Sequence, residues 1–175
     1  MRVVAGRLRG RRLVAPPGAD TRPTSDRVRE ALFSILGSME HLDVLDLFAG
    51  SGALGIEALS RGARHATFVE RDRRAVATIR RNLEALDLAG ASVHRRCALA
   101  FVRAPSAVYD LIFVDPPYSC APRLAGPLSD GLPAMLGQDA LIVTESDKRN
   151  PLVLELPLVS ERAYGDTRIA LHRGP

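Results

Sequence analysis

Apolar positions along the chain follow two alternating rhythms. Val28, Ala31, Leu32, Ile35, Leu36 and Met39 fall three and four apart, which predicts an amphipathic helix from about Ser25 to Met39. Thr24, Ser25 or Asp26 is placed to cap its start. From residue 43 onward, short continuous apolar runs alternate with helical spacing. Val44–Phe48, Ala66–Val69, Leu111–Val114 and Ala140–Thr144 read as buried strands, and Ser92–His94 as a weaker one. A glycine-rich turn over Gly50–Gly55 leads into a helix through Leu59. Arg73–Leu86 is a second helix, with Val76, Ile79, Leu83 and Leu86 on one face. A proline-rich helical stretch ends near Leu136. Near the C-terminal end, Leu152–Leu156 and Arg168–His172 are expected as two strands, joined by a connection containing Tyr164–Thr167.

Strands alternating with helices imply right-handed crossovers and a mostly parallel sheet covered on both faces. The closing pair of strands adds an antiparallel edge. Ahead of this unit, Arg2–Val4 and Arg11–Ala15 flank Gly6 and Gly10 as a small hairpin, and Pro16-Pro17-Gly18 breaks the chain. The organisation expected is therefore a basic arm over residues 1–23 and one α/β domain over 24–175.

At 175 residues, 46% apolar and 25% charged, the chain has the size and composition of a single soluble domain with a real core. No apolar run approaches the roughly 18 residues of a membrane helix. Cys97 and Cys120 form no CxxC pair, and the four histidines lack metal-ligand spacing, so neither a disulfide nor a metal is expected, and a reduced, cytoplasmic setting is. Charge changes the picture more. Residues 1–30 hold eight arginines against Asp20, Asp26 and Glu30, a net of +5, while the whole chain is +4. The basic excess is thus confined to the N-terminal sixth, as in a polyanion-binding arm; Arg7, Arg9, Arg11, Arg12 and Arg22 are its candidate contacts. Basic residues are 23 Arg to one Lys, so a solvated arginine-rich surface is the bland alternative.

Ligands of open α/β sheets sit beyond the carboxyl ends of the strands. Two chemical motifs fall there: Asp46-Leu47-Phe48-Ala49-Gly50-Ser51-Gly52, and Asp115-Pro116-Pro117-Tyr118. Gly50–Gly55 spells G-x-G-x-x-G, and Glu70 follows Gly50 by twenty residues at a strand end, where a ribose-binding acid belongs. The carboxylate of Asp46 beside this turn repels a pyrophosphate and favours a cation. S-adenosylmethionine carries a sulfonium, an ammonium and a ribose, and no phosphate. In Asp115–Tyr118 the prolines remove backbone donors, leaving the Asp115 and Pro116 carbonyls as acceptors beside an aromatic face. Acceptors beside a stacking ring suit a planar exocyclic amine, such as that of guanine. Hydrogen bonds from that amine to Asp115 and Pro116, with the ring on Tyr118, would orient its lone pair toward a methyl donor.

These stretches resemble the RsmD-type 16S ribosomal RNA guanine-N2 methyltransferases over nearly the whole chain. Arg22–Phe33 is similar to that family's opening helix, Leu45–Ala58 to its cofactor loop, Phe68–Glu70 to its ribose-binding strand end, and Asp115–Tyr118 to its catalytic loop. The resemblance implies a class I S-adenosylmethionine-dependent methyltransferase fold, a Rossmann-like, mostly parallel seven-stranded sheet with an antiparallel edge strand. It implies methyl transfer to N2 of one guanine, position 966 in the usual small-subunit numbering, in 16S rRNA packaged in the small ribosomal subunit. Expected catalytic residues are Asp115, Pro116 and Tyr118; expected cofactor contacts are Asp46, Phe48, Gly50, Gly52, Glu70 and the backbone near Ala98. One departure is Arg95-Arg96-Cys97 after the third strand, where many methyltransferases place an acid or amide toward adenine. The alternatives are an amino-methyltransferase of DNA adenine or cytosine, a glutamine-modifying methyltransferase, a nicotinamide-dependent oxidoreductase built on Gly50–Gly55, and a non-catalytic RNA-binding module.

Overall fold

A computed structural model describes residues 1–17 and 25–174. Arg22 and Thr24 lie outside the described residues. The elements in chain order are α1 (Asp26–Leu36), β1 (Asp43–Asp46), α2 (Ala53–Ser60), β2 (His65–Glu70), α3 (Arg73–Ala85), β3 (Ala91–Arg95), α4 (Ala98–Val102), β4 (Tyr109–Val114), α5 (Ala121–Gly131), a 3-10 turn (Leu132–Met135), β5 (Leu136–Asp147), β6 (Leu158–Tyr164) and β7 (Thr167–Arg173). The seven strands form one sheet in the order β3-β2-β1-β4-β5-β7-β6. Strands β1 to β5 are parallel, and β7 runs antiparallel between β5 and β6.

Side chains alternate between the two faces along each strand, and each face has its own core. On one, Val44, Phe68, Leu111, Phe113, Val143, Ile169 and Leu171 pack with residues of α1, α2 and α3. On the other, Leu45, Leu47, Val69, Ile112, Val114 and Ile142 pack beneath α4, α5 and the 3-10 turn.

The N-terminal arm is fastened to the first face. Val3, Leu8 and Leu13 are buried in its core, and a bridge joins Arg2 to Arg12. The buried carboxylate of Glu57 on α2 accepts from the amides of Val4 and Ala5, at 2.7 and 2.9 Å, and pairs with Arg61. Asn82 on α3 takes both backbone groups of Val14, accepting from its N–H at 2.9 Å and donating to its carbonyl at 3.0 Å. Arg29, fully buried in α1, donates to the Arg2 carbonyl and to Asp26.

Two expectations need correction, and two elements were not foreseen. Helix α1 stops at Leu36 rather than Met39 because Gly37 turns to φ 78° and its N–H returns to the Phe33 carbonyl; Met39 is buried from the turn instead. The strand expected over Leu152–Leu156 is not in the sheet. Its alternation is real, since Leu152 and Leu154 bury into the second core, but its backbone bonds go to side chains: Glu155 N–H to the Ser129 hydroxyl and the Leu152 carbonyl to Arg168. The strand that pairs with β7 is the polar β6, exposed along most of its length at the sheet edge and so without an apolar signature. Residues Ala98–Val102 form a one-turn helix too short for periodicity to reveal.

Candidate active site

Register alone brings the predicted corners together. Asp46 of β1 lies between Phe68 of β2 and Phe113 of β4, and adjacent strands are about 4.8 Å apart. Two residues further along each strand direction stand Phe48, Glu70 and Asp115. The glycine turn, the Glu70 carboxylate and the proline corner therefore leave neighbouring strand ends on the same rim. Backbone bonds hold the turn in place: Leu47 N–H donates to the Phe113 carbonyl at 3.0 Å and Ala49 N–H to the Val69 carbonyl at 3.1 Å.

The turn needs its glycines. Gly50 and Gly52 sit at φ 52° and 81°, in the region L side chains avoid, and the Cβ side of Gly50 faces open space apart from the Phe48 carbonyl 4.0 Å away. Gly55 serves packing instead. A Cβ there would stand 2.4 Å from the ring of Phe68, so only glycine lets α2 lie this close to β2.

Two carboxylates organise the turn from below. Asp46 is 2% exposed and accepts from Gly55 N–H at 3.1 Å. Burial pushes its carboxyl up to about 7; the Gly55 amide opposes this and the charge of Glu70 adds to it. Asp46 thus does not stand open to a ligand: its carboxylate is turned onto the N-terminus of α2. Glu70 accepts from Gly50 N–H at 3.0 Å with one oxygen and from Asp72 N–H at 2.8 Å with the other. Each oxygen keeps a second lone-pair direction for a hydroxyl. The Gly50 and Gly55 amides are therefore both engaged by carboxylates. Two acids beneath the turn favour a cationic nucleoside over a pyrophosphate.

The proline corner is shaped by its own bonds. The Pro117 carbonyl accepts from Cys120 N–H at 3.0 Å and from its thiol at 3.1 Å. Pro116 is buried, and its carbonyl has no partner among the described residues. The ring of Tyr118 is half-buried, its hydroxyl 3.4 Å from that of Thr167 on β7. Burial raises its phenol, the Thr167 contact opposes this, and Glu145, Asp115 and Asp147 raise it further. Ala98, buried at the start of α4, lies three residues after Arg95, whose backbone stands opposite Glu70 in the β2–β3 register.

Sequence reasoning missed three participants. Thr167, in a connection with no assigned task, steadies Tyr118. Glu145, buried, comes level with Asp115 because Val114 pairs with Thr144. Asn82, besides holding the arm, donates to the Ser51 carbonyl at 3.0 Å and so ties the arm to the glycine turn. Nothing in helical periodicity marks Asn82 beyond its being a polar residue on a buried face. A hollow of about 270 Å³ lined by Asp43, His65, Ser92, His94 and Tyr109 begins at the opposite, amino ends of the strands and shares no residue with this rim.

Arg7 and Arg11 of the arm do not sit on the rim. Arg7 N–H donates to the Ser60 carbonyl at the end of α2, and the Arg11 guanidinium to the Ala85 carbonyl at the end of α3. Both helices run away from the rim, so the arm's tip lies toward the amino ends of the strands.

A parallel sheet with this strand order, an antiparallel β7 and a glycine turn leaving its first strand is a class I methyltransferase fold. The likeness extends to solved structures: a putative methyltransferase, yhhF, from Escherichia coli superposes with a TM-score of 0.84 at 36% identity, covering 99% of this chain and 97% of that one. Residues 1–173 match the family model described as Conserved hypothetical protein 95, and the chain belongs to that family. Among curated relatives, the putative rRNA methyltransferase YlbH of Bacillus subtilis is 40% identical over 99% of this chain and 98% of its own length. Ribosomal RNA small subunit methyltransferase D of Escherichia coli K12 is 39% identical over 87% of this chain and 77% of its own length.

Proposed function

We propose that this protein transfers a methyl group from S-adenosylmethionine to the exocyclic N2 of one guanine in 16S rRNA, of the position-966 type, within the small ribosomal subunit or its assembly intermediate. The observation that carries the reading is the juxtaposition of the glycine turn, Glu70 and the Asp115–Tyr118 corner on adjacent strand ends. The names of the curated relatives agree with it: both specify rRNA, and that of the Escherichia coli relative specifies the small subunit.

In this reading Glu70 accepts from the ribose hydroxyls, Gly50 and Gly52 allow close backbone approach, and Phe48 and the Ala98 backbone border the pocket. When bound, S-adenosylmethionine supplies an electrophilic methyl on a sulfonium. Asp115 and the Pro116 carbonyl accept from the guanine NH₂, fixing its plane and turning its lone pair outward. Tyr118, steadied by Thr167, stacks on the base. The nitrogen becomes acidic only as it is alkylated, so Asp115 receives a proton without needing to be a strong base. The target guanine leaves its stack to enter. Arg7, Arg9, Arg11, Arg12 and Arg22 contact phosphates, and the setting is the cytoplasm.

The test is to incubate the protein and methyl-labelled S-adenosylmethionine with small subunits from cells lacking the modification, then map the label. Label in one 16S guanine as N2-methylguanine is expected. Label in duplex DNA adenine or cytosine, in protein, or nowhere overturns the proposal.

A further inference from the structure

Helix α3, 13 residues and so about 20 Å long, starts beside Glu70 on the rim, touches the glycine turn through Asn82, and ends where Arg11 of the arm docks. RNA running from the Glu70 end of the rim to the arm's tip crosses its outer side. The exposed side of α3 is built for that crossing: Arg73, Arg74, Arg80 and Arg81 are all exposed, with the second pair seven residues, or two turns, beyond the first. None of the four is ion-paired among the described residues, although Glu84 stands four residues after Arg80.

The placement also runs against the helix's own electrostatics. Cations are disfavoured in a first helical turn, where backbone N–H groups point outward, yet Arg73 and Arg74 occupy it with only the capping Asp72 to offset two charges, and the last turn holds no basic residue. Asp72 caps the helix normally, accepting from the amides of Arg74 and Ala75. The arginines are thus not there to stabilise α3, and a local rule broken without local gain points to a partner. The same helix starts three residues after Glu70 and ends where Arg11 docks.

We propose that the exposed face of α3 is an RNA-backbone track, with Arg73, Arg80 and Arg81 contacting successive phosphates between the rim and the arm. The inference rests on the RNA-methyltransferase reading and adds a surface to it. Shape and phosphate contacts suit the recognition of folded RNA by a small protein without a separate reading domain.

The test compares the full chain with two triple variants, Arg73→Gln/Arg80→Gln/Arg81→Gln on α3 and Arg103→Gln/Arg162→Gln/Arg173→Gln on exposed positions elsewhere. Dissociation constants for an unmodified 16S rRNA transcript are measured from 50 to 200 mM salt. Each lost phosphate contact lowers the slope of log K against log salt by about 0.7, so the α3 variant is expected to lose about 2. The second triple keeps the wild-type slope, and both variants melt within a few degrees of wild type. An unchanged slope in the α3 variant, or an equal loss in both, overturns the track. A wild-type protein that fails to bind or methylate RNA overturns the functional reading itself.

Discussion

Replacing Asp46 by Asn tests the electrostatics beneath the glycine turn. Asp46 is 2% exposed, and its carboxyl is pushed from 3.8 to about 7. The folded state therefore holds a proton that the unfolded chain releases above about pH 4. Unfolding free energy falls as pH rises from about 4 to about 7 and levels off above that. A shift of roughly 3 units at about 1.4 kcal/mol each puts the full penalty at as much as roughly 4 kcal/mol. Asn keeps an oxygen to accept from Gly55 N–H and cannot ionise. The variant should match wild type near pH 4.5 and exceed its stability progressively up to pH 8. Urea unfolding across that range is the assay, read as the difference between variant and wild type. Taking the difference matters. His172 is depressed by burial and adds stability that is lost as pH falls below about 6.5, while Asp43, Asp72 and Glu161 are depressed by their partners and act below about pH 4. All four cancel between the two proteins. A difference independent of pH would refute the claim that the turn is built over a carboxyl held near neutrality. If the charge serves a bound sulfonium, the stabler variant also binds S-adenosylmethionine more weakly at pH 8, a trade of stability for function.

Other consequences are more local. Asp115→Ala should lower single-turnover methylation by about 10²–10⁴-fold while S-adenosylmethionine affinity, measured by calorimetry, changes little; near-normal turnover would remove Asp115 from catalysis. Asn82→Ala strips partners from both Val14 backbone groups and the Ser51 carbonyl, and should cost about 2–3 kcal/mol in urea unfolding with faster hydrogen exchange at Val14; a loss below about 0.5 kcal/mol would mean the arm is held by its apolar contacts alone. Gly55→Ala sets about 1 kcal/mol of helix propensity against a 2.4 Å clash with a fully buried ring. The clash should win, for a net loss of roughly 1–2 kcal/mol and a melting temperature several degrees lower; a more stable variant would show that Phe68 yields freely.

The parts of the fold visible in the chain were those with regular burial, on both faces of a strand or one face of a helix. Strands β1, β2 and β4 are covered on both faces and read as unbroken apolar runs; α3 shows its core face through Val76, Ile79 and Leu83. Edge strand β6 carries no such signal, because exposure along its length leaves no apolar period to read. The segment Leu152–Leu156 gave a misleading one, since alternate burial arises equally from a loop crossing the sheet. At the site, glycines, prolines and strand-end acids announced themselves by residue type. The sequence showed less of what they do: Asp46 was expected to meet a cation directly and is instead folded onto Gly55 N–H. Thr167 and Asn82 were invisible because their roles depend on which distant backbone reaches them, and that is decided by topology.

The account depends most on one pocket serving both corners. A crystal structure of the protein with S-adenosylhomocysteine measures that directly. The account predicts the ribose on Glu70, the amino-acid portion along Gly50–Gly52, and the sulfur turned toward Asp115 and Pro116 with room for a base on Tyr118. A ligand seated elsewhere, for instance in the hollow lined by His65, Ser92 and His94, or one whose sulfur faces away from the proline corner, would contradict it.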